Sequence, residues 1–154
     1  MTAIEEKLKT LGIALPEAPA PAANYVPYVV QGDLVYISGQ ISVGPDGLVI
    51  GKLGENMLVD AGQAAARLCA INLISQLKSA MGGDFGKFRR VIRLGGFVNS
   101  TPDFKDHPKV VNGASDLMVE VFGDAGRHAR AAVGCSSLPL GVAVEVEGLF
   151  EIST

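Results

Sequence analysis

The strongest constraint on this chain lies near its end. From residue 141 to 152, apolar and acidic side chains alternate. Val142, Val144, Val146, Phe150 and Ile152 share one parity, and Glu145, Glu147 and Glu151 the other. Successive side chains of a strand point to opposite faces. The pattern therefore predicts a strand over 141–152 with one face against apolar matter and the other carrying carboxylates. Such a strand belongs to a sheet whose apolar face is covered by a second layer.

The covering layer is also legible. Residues 60–81 carry Ala64, Leu68, Ile71, Ile74 or Ser75, and Leu77 or Lys78 at helical spacing, and Gly82-Gly83 ends the run. Asp60 with Gln63 three positions on has capping-box spacing. A second helix is expected over 108–122, with Val111, Leu117 and Val121 on its apolar side. Residues 26–30 and 33–38 flank Gln31-Gly32 as a hairpin. Gly44-Pro45-Asp46-Gly47 has turn chemistry and leads into a short strand over 48–50. Further strands are expected over 89–98 and 129–135. A short helix over 3–11 and a Pro/Ala-rich connector over 16–23 precede them. The resulting order, β-β-β-α-β-α-β-β, implies an α+β fold with two helices on one face of a mixed sheet. At 154 residues this is one domain, spanning 1–154.

Composition excludes several functions. A net charge of −3 gives no bulk attraction for nucleic acid or anionic lipid. Trp is absent and aromatics reach only 6%, which disfavours base-stacking platforms. No nucleic-acid partner is expected. Arg67 and Lys78 interrupt the best apolar stretch, so no membrane span is expected either. Hydrophobic residues at 48% and a mean hydropathy of +0.31 exceed what a small core needs, and they point to a subunit interface. Cys69 and Cys135 are too few and too far apart for a disulfide framework or zinc knuckle. With Glu5 and Glu6 where a secretory leader would be basic, a cytoplasmic location is expected. Two histidines twenty-one positions apart form no ligand cluster, and no glycine run matches a nucleotide fingerprint, so no metal or cofactor is expected. Lys87, Arg89, Arg90 and Arg93 form the one basic cluster; a solvated surface or a subunit contact suits it better than a phosphate site.

Two groups carry the candidate chemistry. Arg130 stands on a short strand otherwise made of Ala129, Ala131, Ala132 and Val133. Its guanidinium suits a carboxylate ligand held by two parallel bonds; equally, it suits an ion pair with Glu145 or Glu147 on the next strand. A glutamate on the last strand serves either as a general base or as a solvated face residue. Cys135 with His107 or His128 is a weaker candidate pair, because no third orienting group accompanies it; both cysteines read better as small buried hydrophobes.

Tyr28-Val29-Val30, Tyr36-Ile37-Ser38-Gly39-Gln40-Ile41, Arg130-Ala131-Ala132-Val133, Leu138-Pro139 and Val144-Glu145-Val146-Glu147 together resemble the Rid (YjgF-like, reactive-intermediate deaminase) family. The resemblance runs from about Tyr25 to Ile152. The segment from His107 to Leu117 is similar to a longer subgroup often labelled endoribonuclease L-PSP or translation-initiation inhibitor. The resemblance implies a chorismate-mutase-like fold, a homotrimer, and ligand sites in clefts between subunits. It implies hydrolytic deamination of 2-imino or 2-enamino acids to 2-keto acids and ammonia, without a cofactor. The alternatives are non-catalytic binding of small carboxylates and, less favoured, ribonuclease activity. It implies Arg130 as the carboxylate clamp, Glu145 as the group positioning a water, the main chain at Ala132 as its helper, and Tyr28 and Asn112 as pocket residues. The chain departs from the deaminating members at Ala132, where many have cysteine, and in a longer segment before Asn112.

Overall fold

The computed structural model describes residues 1–19 and 24–154; the last four residues of the expected connector lie outside them. A hairpin opens the sheet: β1 (Tyr28–Gln31) and β2 (Leu34–Ile41) turn through Gly32, whose φ of 59° is the left-handed conformation glycine tolerates. Two residue pairs then form a separate ribbon, β3 (Val43–Gly44) and β4 (Gly47–Leu48). The strand expected over 48–50 is thus only the second arm of this turn, and its Ile50 makes a single bridge to Val142. Helix α2 (Val59–Ala80) follows, then β5 (Phe88–Asn99), α3 (His107–Phe122), β6 (Ala129–Cys135) and β7 (Val144–Ile152). A short helix, α1 (Ala3–Thr10), precedes them all and is capped by the Thr2 hydroxyl, which accepts from the Glu5 amide.

The main sheet has the order β1-β2-β7-β5-β6. Its β5–β6 pair is parallel, and α3 provides the crossover that a parallel pair needs. The other pairs are antiparallel, so the sheet is mixed as expected. Strand β7 runs through the middle, and its burial alternates residue by residue as the sequence predicts. It begins at Val144 rather than 141, because a single turn of 3-10 helix occupies Pro139–Gly141.

Helices α2 and α3 lie on one face. Val144, Val146 and Phe150 of β7 and Leu94 and Val98 of β5 point into them and are fully buried with Leu73, Ile74, Leu77, Leu117 and Met118. The buried side of α2 differs from the expected one. It runs through Gly62, Ala65, Ala66, Cys69, Ala70, Leu73, Ile74 and Leu77, whereas Ala64 is exposed and Leu68 and Ile71 are half-buried. The expected capping box is absent too. Leu58 is the N-cap without a side-chain bond, and the Gln63 amide donates to the Lys109 carbonyl of α3. Small residues let the helices approach closely. A Cβ on Gly113 of α3 would lie 2.8 Å from the Gln63 carbonyl carbon.

The opposite face of the sheet has no helix over it among the described residues. It presents Val29, Tyr36 and Val133, which are 54%, 57% and 46% exposed, around the carboxylates of β7.

Candidate functional site

Strand β6 lies at one edge of the sheet, and the register decides where its side chains go. Arg130 pairs with Leu94 and Ala132 with Gly96. Leu94 is buried under the helices, and a Cβ on Gly96 would meet Val111 of α3. Arg130 and Ala132 therefore project from the helix-bearing face. Asn112 and Ser115 stand three apart on α3, a spacing that puts both on one side of a helix. The Arg130 Nη1 donates to Asn112 Oδ1 at 2.8 Å and to Ser115 Oγ at 3.2 Å. Arg130, Asn112 and Ala132 are thus brought to one place.

Glu145 is elsewhere. It pairs with Ile41 and Phe97 on the open face, against Gly39 in the irregular stretch where the β2–β7 register shifts. No side chain would fit at Gly39 without moving it: an added Cβ would lie 2.9 Å from both Cγ and Cδ of Glu145. Burial, and secondarily the charge of Glu147, push the Glu145 carboxyl above its ordinary value. Glu147 in turn meets Arg93 at 3.3 Å. The ion pair on this face is therefore Arg93–Glu147, and Arg130 finds its partners on α3 instead.

Tyr28 sits on β1, at the far edge. Its register partner Ile37 is buried under the helices, and its hydroxyl lies 3.1 Å from that of Ser79 on α2. With three strands between β1 and β6, roughly 19 Å of sheet separates Tyr28 from Arg130. One chain therefore holds three parts of the expected site in three places: the clamp on one edge, the tyrosine on the other, the glutamate on the opposite face.

Two residues beside the clamp were not singled out in the sequence as members of it. Ser115 touches Arg130, and His128, just before β6, reaches Ser115 with Nε2 at 2.9 Å. Burial, chiefly, and the nearby Arg130 lower the pKa of His128, against the effect of a bond to the Gly126 carbonyl. The i, i+3 spacing of Asn112 and Ser115 is the signal that would have found the serine. Among the described residues, no hydrogen bond joins Cys135 to either histidine, although Cys135, half-buried, lines one cavity with His107. His107 bonds Ser100 at 3.2 Å and His128 bonds Ser115, while Cys69 is buried with Sγ donating to the Val144 carbonyl. The basic cluster is largely spent on backbone: Arg89 on the carbonyls of Gly86 and Phe88, Arg90 on that of Arg127. Among the described residues, no three His, Cys, Asp or Glu side chains could share a metal ion, and no helix is long and apolar enough to cross a membrane.

Known proteins match this chain and its fold. The family model described as "YjgF/chorismate_mutase-like, putative endoribonuclease" matches residues 5–151. Protein TCP17 of Trypanosoma cruzi is 49% identical, over 97% of this chain and 94% of its own. A 2-iminobutanoate/2-iminopropanoate deaminase of Dermatophagoides farinae is 29% identical, over 91% of this chain and 94% of its own. The crystal structure of a protein of unknown function, Atu1372 of Agrobacterium tumefaciens, superposes with a TM-score of 0.91 at 47% identity, covering 98% of this chain and 93% of that one.

Proposed function

Taking as premise that this chain belongs to the YjgF/chorismate-mutase-like family, which includes imine deaminases, we propose that it hydrolyses reactive 2-imino and 2-enamino acids to 2-keto acids and ammonia, in clefts between the subunits of a homotrimer. The observation that carries the reading is the guanidinium of Arg130, pinned by Asn112 and Ser115 on an edge strand. A fixed guanidinium holds a carboxylate by two parallel charge-assisted bonds and so orients the carbon beside it.

The separation of Arg130, Glu145 and Tyr28 supports assembly. Copies meeting edge to edge in a closed ring would set the β6 edge of one beside the β1 edge of the next. The exposed Val29, Tyr36 and Val133 give the open face an apolar surface suited to burial between copies.

The chemistry follows from the residues. Water attacks the imine carbon, and Glu145 takes its proton as the C–O bond forms. The C=N π pair moves to nitrogen, which is protonated. The carbinolamine then expels ammonia as its hydroxyl becomes the keto oxygen. A carboxylate with a raised pKa is a stronger base than an ordinary one, which suits this step. The ribonuclease reading has less to stand on, since each histidine is bonded to its own serine and the net charge of −3 gives no bulk attraction for RNA.

The test is turnover of freshly generated 2-iminobutanoate, read as loss of semicarbazone trapping, alongside sedimentation velocity. Accelerated hydrolysis by a trimer is expected. A monomer at micromolar concentration, or no acceleration, overturns the reading. Keto-acid binding without turnover would leave carboxylate binding as the whole activity.

A further inference from the structure

Arg130 offers five N–H donors in one plane. The two on Nη1 are occupied by Asn112 Oδ1 and Ser115 Oγ. Among the described residues, Nε and Nη2 donate to no acceptor. The end of the guanidinium formed by Nη1 and Nη2 is therefore half-consumed, and the Nε–Nη2 side is the one still able to grip two oxygens.

The protons behind this arrangement can be followed to their source. A carbonyl only accepts, so the 2.6 Å bond between Gly126 and His128 puts a hydrogen on Nδ1. Arg130 only donates, so Ser115 Oγ accepts from it and turns its own hydrogen elsewhere. The partner in reach is His128 Nε2, at 2.9 Å. The imidazole is then neutral, with Nδ1 protonated and Nε2 accepting. The chain of donation runs from Arg130 to Ser115 to His128 to the Gly126 carbonyl, each link polarising the next.

We infer that His128 and Ser115 are positioning residues that lock Nη1 of Arg130 and so reserve its Nε–Nη2 edge for the substrate carboxylate. The inference rests on the carboxylate-clamp reading above. It adds that the clamp is built from α3 and the turn before β6, and that the carboxylate docks side-on. Burial, chiefly, and Arg130 lower the pKa of His128 against the effect of the Gly126 bond, which favours the neutral ring that the chain requires. A second positive charge there would also reverse the Ser115–His128 bond, since Nε2 would become a donor.

The experiment uses calorimetry with 2-ketobutyrate and imine turnover on the full-length protein, together with the 15N spectrum of His128. Ser115→Ala and His128→Ala should each weaken 2-ketobutyrate by about 3- to 10-fold, the size of one lost bond, while raising KM and sparing kcat. Ser115→Thr and His128→Gln, which keep the hydroxyl and an acceptor, should recover most of the affinity. The double alanine variant should be little worse than either single one, because the two residues act in one chain. The spectrum of the unaltered protein should show the Nδ1–H tautomer. If 2-ketobutyrate binds, and Arg130→Ala abolishes it, yet Ser115→Ala and His128→Ala bind as well as the parent, the relay is refuted. An Nε2–H tautomer refutes it directly. If the unaltered protein binds no 2-ketobutyrate, the carboxylate clamp itself is what fails, and the tautomer alone then decides whether the relay exists.

Discussion

Gly39 offers a way to move the proposed base, Glu145, without touching it. Gly39 carries no backbone strain, so alanine there costs nothing in φ; what it meets is the Glu145 side chain, with Cγ and Cδ both 2.9 Å from the new Cβ. Carbon atoms in contact prefer about 3.5–4.0 Å, so the carboxylate has to retreat by about 1 Å. The end of a flexible side chain can do this cheaply, and the melting temperature should change little. Catalysis should not tolerate it: a displacement of about 1 Å can cost ~100-fold in rate. Gly39→Ala is therefore expected to lower imine turnover by roughly 10- to 100-fold while leaving 2-ketobutyrate affinity, set by Arg130, near that of the parent. Turnover by semicarbazide trapping, calorimetry and a thermal melt on one preparation give all three readings. Undiminished turnover in Gly39→Ala, with Glu145→Gln inactive, would refute the idea that the placement of this carboxylate matters. Turnover and melting temperature falling together would show that the glycine serves the fold instead.

Gly113→Ala should behave in the opposite way: its Cβ meets the backbone at Gln63, which cannot rotate aside, so a change that favours an isolated helix by ~1 kcal/mol should here destabilise by about 1–3 kcal/mol in a urea melt. Arg130→Ala should weaken 2-ketobutyrate by ~2–4 kcal/mol, about 30- to 1000-fold, and Arg130→Lys should recover only part, as calorimetry would show. If Glu145 is the base it must be ionised, and its pKa is raised, so the acid limb of the turnover–pH profile should lie above the ordinary carboxylate range; Glu147→Gln should move that limb down but not all the way, since burial, the larger cause, remains. A pKa raised on folding means stability is lost as pH climbs through it, so Glu145→Gln should raise the melting temperature at neutral pH.

The parts of the fold that could be read in the sequence are those with a strong chemical period. In β7, valine alternates with glutamate, and no other structure satisfies that pattern. Helix α2 was legible as a helix but not in its orientation, because its buried side is built from Gly62, Ala65, Ala66 and Ala70, which carry little hydrophobic signal. Leu68 and Ile71 are the more obvious apolar markers, yet they sit at the margin. The site was legible as residue types and not as geometry. Whether Arg130 shares a face with Glu145 depends on two registers, β6 on β5 and β5 on β7, and neither is encoded locally. Ser115 was not singled out, and His128 only as a partner for Cys135, for the same reason: their importance comes from what the chain folds beside them.

The placement of Arg130 and Glu145 on opposite sides of one sheet has a genetic consequence. If each working site borrows its guanidinium from one copy and its carboxylate from the next, a subunit with either defect is still half of a sound site. Arg130→Ala and Glu145→Gln proteins, each inert alone, should regain activity when co-expressed. Random assembly of equal amounts would restore about a quarter of the sites. Two loss-of-function alleles of this gene would then complement each other inside the protein itself, while the doubly altered subunit, mixed in equal amount with the parent, would leave about a quarter of the sites intact, half of what simple dilution would leave.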